Sequence, residues 1–120
     1  MVARNKQVYY GEYLQLDKIL DAQQPESDLE GKPAHDEMLF IITHQAYELW
    51  FKQIIFELAS VVDVFADPIV EDKRMGVVLH RLARVKTIQH LLLQQIDVIQ
   101  TMTPLDFLEF RDLLVPASRS

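Results

Sequence analysis

Apolar residues recur through the middle of the chain at intervals alternating between three and four. The row is Phe40, Tyr47, Phe51, Ile54, Leu58, Val62 and Phe65, with His44 filling its one gap. An α-helix turns once every 3.6 residues, so this spacing gathers the set on one face and predicts a helix over about 34–65. Asp36 and Glu37 fall in its first turn, where carboxylates meet the positive end of the helix dipole. Ala66-Asp67-Pro68 ends it. A second row, Val78, Leu82, Val85, Leu92, Ile96 and Ile99, is broken only by Gln89 and lies close to a heptad seam. It predicts a helix over about 71–102, packed against the first as a long antiparallel hairpin.

Shorter elements flank the hairpin. Leu16, Ile19 and Leu20 form an apolar stripe on a helix predicted over about 12–23 and closed by Pro25. The stretch 25–33, with Ser27, Asp28 and Gly31, reads as a polar surface loop. Beyond the hairpin, Thr103, Pro104 and Asp106 carry the clearest helix start in the chain. The hydroxyl accepts a backbone N–H, the proline presets φ, and the acid three residues on completes a capping box. Leu105, Leu108, Leu113 and Leu114 line one side of this fourth helix, and Pro116 follows it. The last residues, 116–120, bring no closing element, as in a chain cut short. The expected fold is all-α: one domain over 1–120, a long hairpin with shorter flanking helices, forming part of a larger helical bundle.

Composition narrows the function. The 120 residues are 49% hydrophobic and 25% charged, which suits a globular protein and not a disordered one. Eighteen acidic residues against twelve basic ones give a net charge of −6. That balance argues against nucleic acid and anionic membrane surfaces as partners, since both need a basic footprint. With no cysteine there is no disulfide, thiolate metal site or cysteine nucleophile. No apolar run approaches the roughly 20 residues needed to cross a bilayer, and the polar N-terminus has no signal-peptide core. A cytoplasmic protein is expected.

Three groups of residues could carry chemistry. His44 lies in the apolar row of the first long helix, one turn from Phe40. Its plainer role is a core histidine bonded to a backbone carbonyl; its sharper one is an imidazole facing an aromatic pocket. Arg111, between Phe110 and Asp112, is either a surface cation paired with Asp112 or Glu109, or a guanidinium that grips a carboxylate. Tyr9-Tyr10-Gly11-Glu12-Tyr13-Leu14 either packs on the core, lines a flat ligand or reaches a neighbouring subunit. Trp50 and Met38 read as packing residues, and His35, His80 and His90 as surface or capping residues. A di-iron bundle is disfavoured because no Glu has a His three residues later, and the HExxH zinc motif is missing.

Three stretches together resemble the tryptophan 2,3-dioxygenase family: YGEYLQLDKIL at 10–20, HDEMLFIITHQAYELWFKQ at 35–53 and TMTPLDFLEFRDLL at 101–114. They occur in the family's order and spacing and span nearly the whole chain. The resemblance implies a haem b dioxygenase that converts L-tryptophan and dioxygen to N-formyl-L-kynurenine. It implies that His44 hydrogen-bonds the indole N–H, that Phe40 is a wall of the indole pocket, and that Arg111 pairs with the substrate carboxylate. Phe107 and Leu114 match further pocket positions. Tyr10, Tyr13 and Leu14 match an N-terminal segment that enters the active site of an adjacent subunit in a homotetramer.

Two departures accompany the match. None of the four histidines corresponds to the family's proximal iron ligand, which belongs to a C-terminal region, so the chain resembles the distal half of a site with no metal ligand of its own. Arg119 stands where family members commonly carry glycine after Pro-Ala-Ser, which points to crowding of the pocket. Two other readings follow: a dioxygenase acting on another indole, and a catalytically inactive helical interaction module.

Overall fold

In the computed structural model, which describes residues 7–114, α4 (Glu37–Phe65) and α5 (Asp72–Ile99) run as two long helices and pack along each other. Four shorter pieces flank them: α1 (Tyr10–Leu14), α2 (Leu16–Ile19), α3 (Glu26–Leu29) and α6 (Pro104–Leu108). A 3-10 turn, Arg111–Leu113, follows α6. The expected all-α hairpin with flanking helices is therefore the fold.

Polar contacts fasten the hairpin at three levels. At the turn, Asp67 accepts a bond from the Ile69 amide at 3.3 Å and pairs with Arg74 at 2.7 Å. Near its middle, Arg84 of α5 donates to the Glu57 carboxylate of α4 at 3.0 Å, and Gln53 donates to the same oxygen at 3.1 Å. Towards the open end, the Tyr47 hydroxyl donates to the Leu92 carbonyl at 2.8 Å. Between the turn and the Glu57 level, Val61, Val64 and Val78 form the apolar core, with Val70 packed on it.

The structure differs from the sequence pattern in five places. The buried face of α4 is rotated by one residue: Val61 is 8% exposed and Val62 66%. Val64 is likewise buried and Phe65 open, while Glu57 is buried and Leu58 is not. Apolar residues occupy almost every side of this part of α4, so periodicity alone admits several faces, and α5 occupies the one where Glu57 meets Arg84. On α5, Val78 and Val85 are buried as expected and Ile88 joins them, while Leu82 and Ile96 stay partly open.

The helix expected over 12–23 breaks at Gln15, which adopts a left-handed conformation (φ 54°, ψ 47°). This costs an ordinary residue about 1 kcal/mol, and no glycine or proline marks the break in the sequence. The expected loop over 25–33 contains α3, whose Ser27 is fully buried. The fourth helix starts as expected: the Thr103 hydroxyl accepts from the Asp106 amide at 3.2 Å, and the Asp106 carboxylate accepts from the Thr103 amide at 2.9 Å. It stops at Leu108, and Phe110 (φ −132°) leaves helical geometry so that its ring enters the interior.

The molecule is elongated. Its extents are 59 × 37 × 27 Å and its radius of gyration is 20.1 Å, against about 14 Å for a compact domain of this length. Large apolar side chains on the outer faces of α4 remain open, Phe56 at 68% among them. Among the described residues no helix is long and apolar enough to cross a membrane.

Candidate functional site

The first turns of α4 bring Phe40 and His44 together, because residues four apart lie one above the other on a helix. Their ring centroids are 4.2 Å apart. The backbone after α5 then folds α6 across this point. Phe107 stacks on Phe40 at 5.8 Å, and Phe110 meets Phe40 edge-on at 5.4 Å and Phe107 at 5.5 Å. Phe110 is 0% exposed, so it anchors the cluster. Three of the expected site residues, Phe40, His44 and Phe107, are thus joined from two elements. Phe110 was not singled out from sequence, although its spacing of three from Phe107 carried the signal.

The His44 imidazole is on the surface of α4, not in the core, yet it has the carbonyl bond that a core histidine would have. Its Nδ1 lies 2.7 Å from the Phe40 carbonyl oxygen. A carbonyl only accepts, so Nδ1 carries the proton, and in the neutral ring Nε2 is left as an acceptor. Beside it runs an open groove of about 400 Å³, lined by Ile19, Ala22, His44, Gln45, Glu48 and Leu49. The groove is mostly apolar, with an imidazole at its wall, and its volume suits a small flat ligand.

Arg111 is exposed in the 3-10 turn, immediately after the buried Phe110, and forms no ion pair with Glu109 or Asp112. Its surface-pair role is therefore not observed. Leu114 is partly buried where that turn ends. Tyr10 and Tyr13 are about three-quarters exposed on α1 and stand outside the aromatic cluster, while Leu14 is partly buried. Met38 and Trp50, expected to pack, are each more than a third open.

Two polar networks beside the cluster were not visible in the sequence. The Glu37 carboxylate, 1% exposed, accepts from the Glu26 amide (2.8 Å), the Ser27 amide (2.9 Å) and the Ser27 hydroxyl (2.5 Å). Burial pushes this carboxyl upward, and the bonds from Ser27 and Glu26 outweigh it, holding Glu37 below the usual carboxylate range. Gln45 donates to the Ala22 carbonyl at 2.8 Å and accepts from the Gln23 carboxamide at 2.9 Å.

Comparison with known proteins places these residues in context. The family model described as "Tryptophan 2,3-dioxygenase" matches residues 2–119. A protein of that name from Bdellovibrio bacteriovorus is 58% identical over 111 residues, which is 92% of this chain and 31% of the relative. Its namesake from Dictyostelium discoideum is 55% identical over 113 residues, 94% of this chain and 28% of the relative. One from Anopheles gambiae is 58% identical over 109 residues, 91% and 28% respectively. The chain spans about three-tenths of the length of these curated relatives.

A haem iron requires an axial ligand, so the histidines test the fit of that group. His44 bonds the Phe40 carbonyl through Nδ1 and keeps Nε2 free, whereas His80 Nε2 accepts a bond from Arg84 at 3.2 Å. His35 and His90 are exposed. Among the described residues there is no group of three or more metal-ligating side chains. Phe40 and Phe107 give such a group an aromatic wall, and the His44 Nε2 beside it is an imidazole nitrogen left open to a ligand.

Proposed function

The chain belongs to the tryptophan 2,3-dioxygenase family, and on that premise we propose that it forms the distal, substrate-binding side of a haem-dependent dioxygenase. The reaction inserts dioxygen into the indole ring of L-tryptophan and gives N-formyl-L-kynurenine. The haem supplies the dioxygen chemistry, which side chains alone lack. This chain's residues bind the substrate and orient it.

Tryptophan presents a flat apolar ring, one indole N–H and a charged end, and the site answers each. Phe40 and Phe107, stacked at 5.8 Å, offer aromatic surface to the ring. The His44 Nε2, held as an acceptor by the bond at Nδ1, takes the indole N–H. Arg111, displayed beside the buried Phe110 with no carboxylate partner at Glu109 or Asp112, is placed to take the substrate carboxylate in bidentate fashion. Leu114 adds apolar surface, and Tyr10, Tyr13 and Leu14 close the pocket of an adjacent subunit in a homotetramer. The open apolar faces of α4 support such assembly.

The single observation that carries this reading is the 2.7 Å approach of His44 Nδ1 to the Phe40 carbonyl, beside the Phe40–Phe107 stack. Its test is a titration of the chain with L-tryptophan and with indole, read from the His44 imidazole resonances. Both ligands are expected to shift them, and Arg111→Ala is expected to weaken L-tryptophan about tenfold or more and leave indole unchanged. No shift with either ligand would overturn the reading. A response to indole that Arg111 does not modulate, with none to L-tryptophan, would favour a different indole as substrate.

A further inference from the structure

The site just proposed draws on an N-terminal arm, residues 10–20, whose own packing does not explain where it sits. Its helices α1 and α2 make close backbone contacts with each other and with no other element to a comparable extent. Resting on the proposed function, we infer that Glu37 and Gln45 are positioning residues: together they hold the segment that follows this arm, 22–27, to α4 and so set where Tyr10, Tyr13 and Leu14 are presented.

The first half of the clasp is the buried Glu37 carboxylate. A carboxylate in the interior is costly unless its lone pairs are bonded, and all three of its bonds go to Glu26 and Ser27, at the start of α3. The Ser27 hydroxyl, having donated to Glu37, accepts from the Ala34 amide at 2.9 Å. The stretch between α2 and α4 is thereby closed around one side chain. The second half is Gln45, eight residues further along α4. Its carboxamide donates to Ala22 and accepts from Gln23, and Gln23 also donates to the Ile19 carbonyl at 2.9 Å. Carbonyls at the end of α2 and just beyond it are thus met by side chains tied to α4.

Phe40 and His44 lie between these two anchors on the same helix. Any change in the arm's path is therefore measured directly against the pocket residues. The Ala22 that Gln45 bonds and the Ile19 that Gln23 bonds line the groove beside His44.

The chain has no cysteine, so paired nitroxide labels can be introduced at chosen sites alone. Labels at Lys18→Cys and Lys52→Cys report the arm against α4, and labels at Lys52→Cys and Lys86→Cys report the hairpin. The expected result is a narrow arm distance in the native background that broadens at least about twofold in Glu37→Gln and in Gln45→Ala, with the hairpin distance unchanged. L-tryptophan binding should weaken about tenfold in each variant, with no further loss when the same change is made on top of Tyr10→Ala and Tyr13→Ala. A purely structural role would not give that non-additivity. If Glu37→Gln disturbs the hairpin distance, Gln45→Ala alone decides. An unchanged arm distance, or a broadened one with L-tryptophan affinity intact, would overturn the inference. If the native chain fails to bind L-tryptophan, the proposed function falls, and the label distances still decide whether Glu37 and Gln45 hold the arm.

Discussion

Glu57 on α4 and Arg84 on α5 meet at 3.0 Å across the hairpin, the carboxylate almost wholly buried and the guanidinium half in solvent. Bonding from Arg84, against the opposing effect of burial and with further help from Gln53, holds Glu57 below the usual carboxylate range. Removing Arg84 leaves a buried charge with Gln53 as its remaining donor, which is worse than having no pair at all. Arg84→Ala is therefore expected to lower the melting temperature by several degrees. Arg81→Ala, which removes a cation that acts on Glu57 only through its charge, should do much less. Equal effects in thermal melts would show that the bond itself contributes little.

Acid should loosen the hold of Glu37 on the start of α3. Glu37 has a depressed pKa in the folded chain. Its contribution to stability is therefore fully present above the ordinary glutamate value and is lost as pH falls towards the depressed one. The Ser27 amide resonance is expected to move across that acid window in the native chain. In Glu37→Gln it should be displaced at neutral pH and stay level on acidification. Matching acid profiles in the two proteins would exclude Glu37 as the titrating group.

Phe110 links stability to the display of Arg111. It is fully buried against Phe40 and Phe107, and replacing a buried phenylalanine with alanine typically costs about 3–5 kcal/mol. Phe110→Ala should lower the urea midpoint strongly, whereas Leu105→Ala, on an open side chain of the same region, should change it little. A mild effect at Phe110 would mean that α6 does not depend on the aromatic cluster for its seat.

The outer faces of α4 predict association. Ile55, Phe56 and Val62 are each about two-thirds exposed, forming more open apolar surface on one helix than a monomer ordinarily leaves to water. Light scattering should find dimers or larger species, and Phe56→Glu should shift them towards monomer. A native chain that remains monomeric at high concentration would count against this.

Much of the fold was legible because it depends on local regularities. Periods of three and four placed both long helices, the Thr103–Asp106 pair placed the start of α6, and the chain's order made the hairpin. The resemblance of three stretches to one family pointed to Phe40, His44 and Phe107, and the structure brings these together. Arg111 was visible as a cation near the aromatic residues, although its lack of an ion pair with either neighbouring acid was not.

What only the tertiary structure decided was which neighbours meet. A row of apolar residues states that a helix has a buried face, but on α4 several faces qualify. The choice of Val61 over Val62 was made by α5 and by Glu57 finding Arg84. The left-handed turn at Gln15 has no marker in the residue itself, and α3 exists because a carboxylate ten residues on reaches back to its first amides. Periodicity, capping and composition act within one helical turn, and the sequence determined those by itself. Hydrogen bonds between Glu37 and Ser27, or Gln45 and Ala22, depend on distances that exist only after the chain has folded.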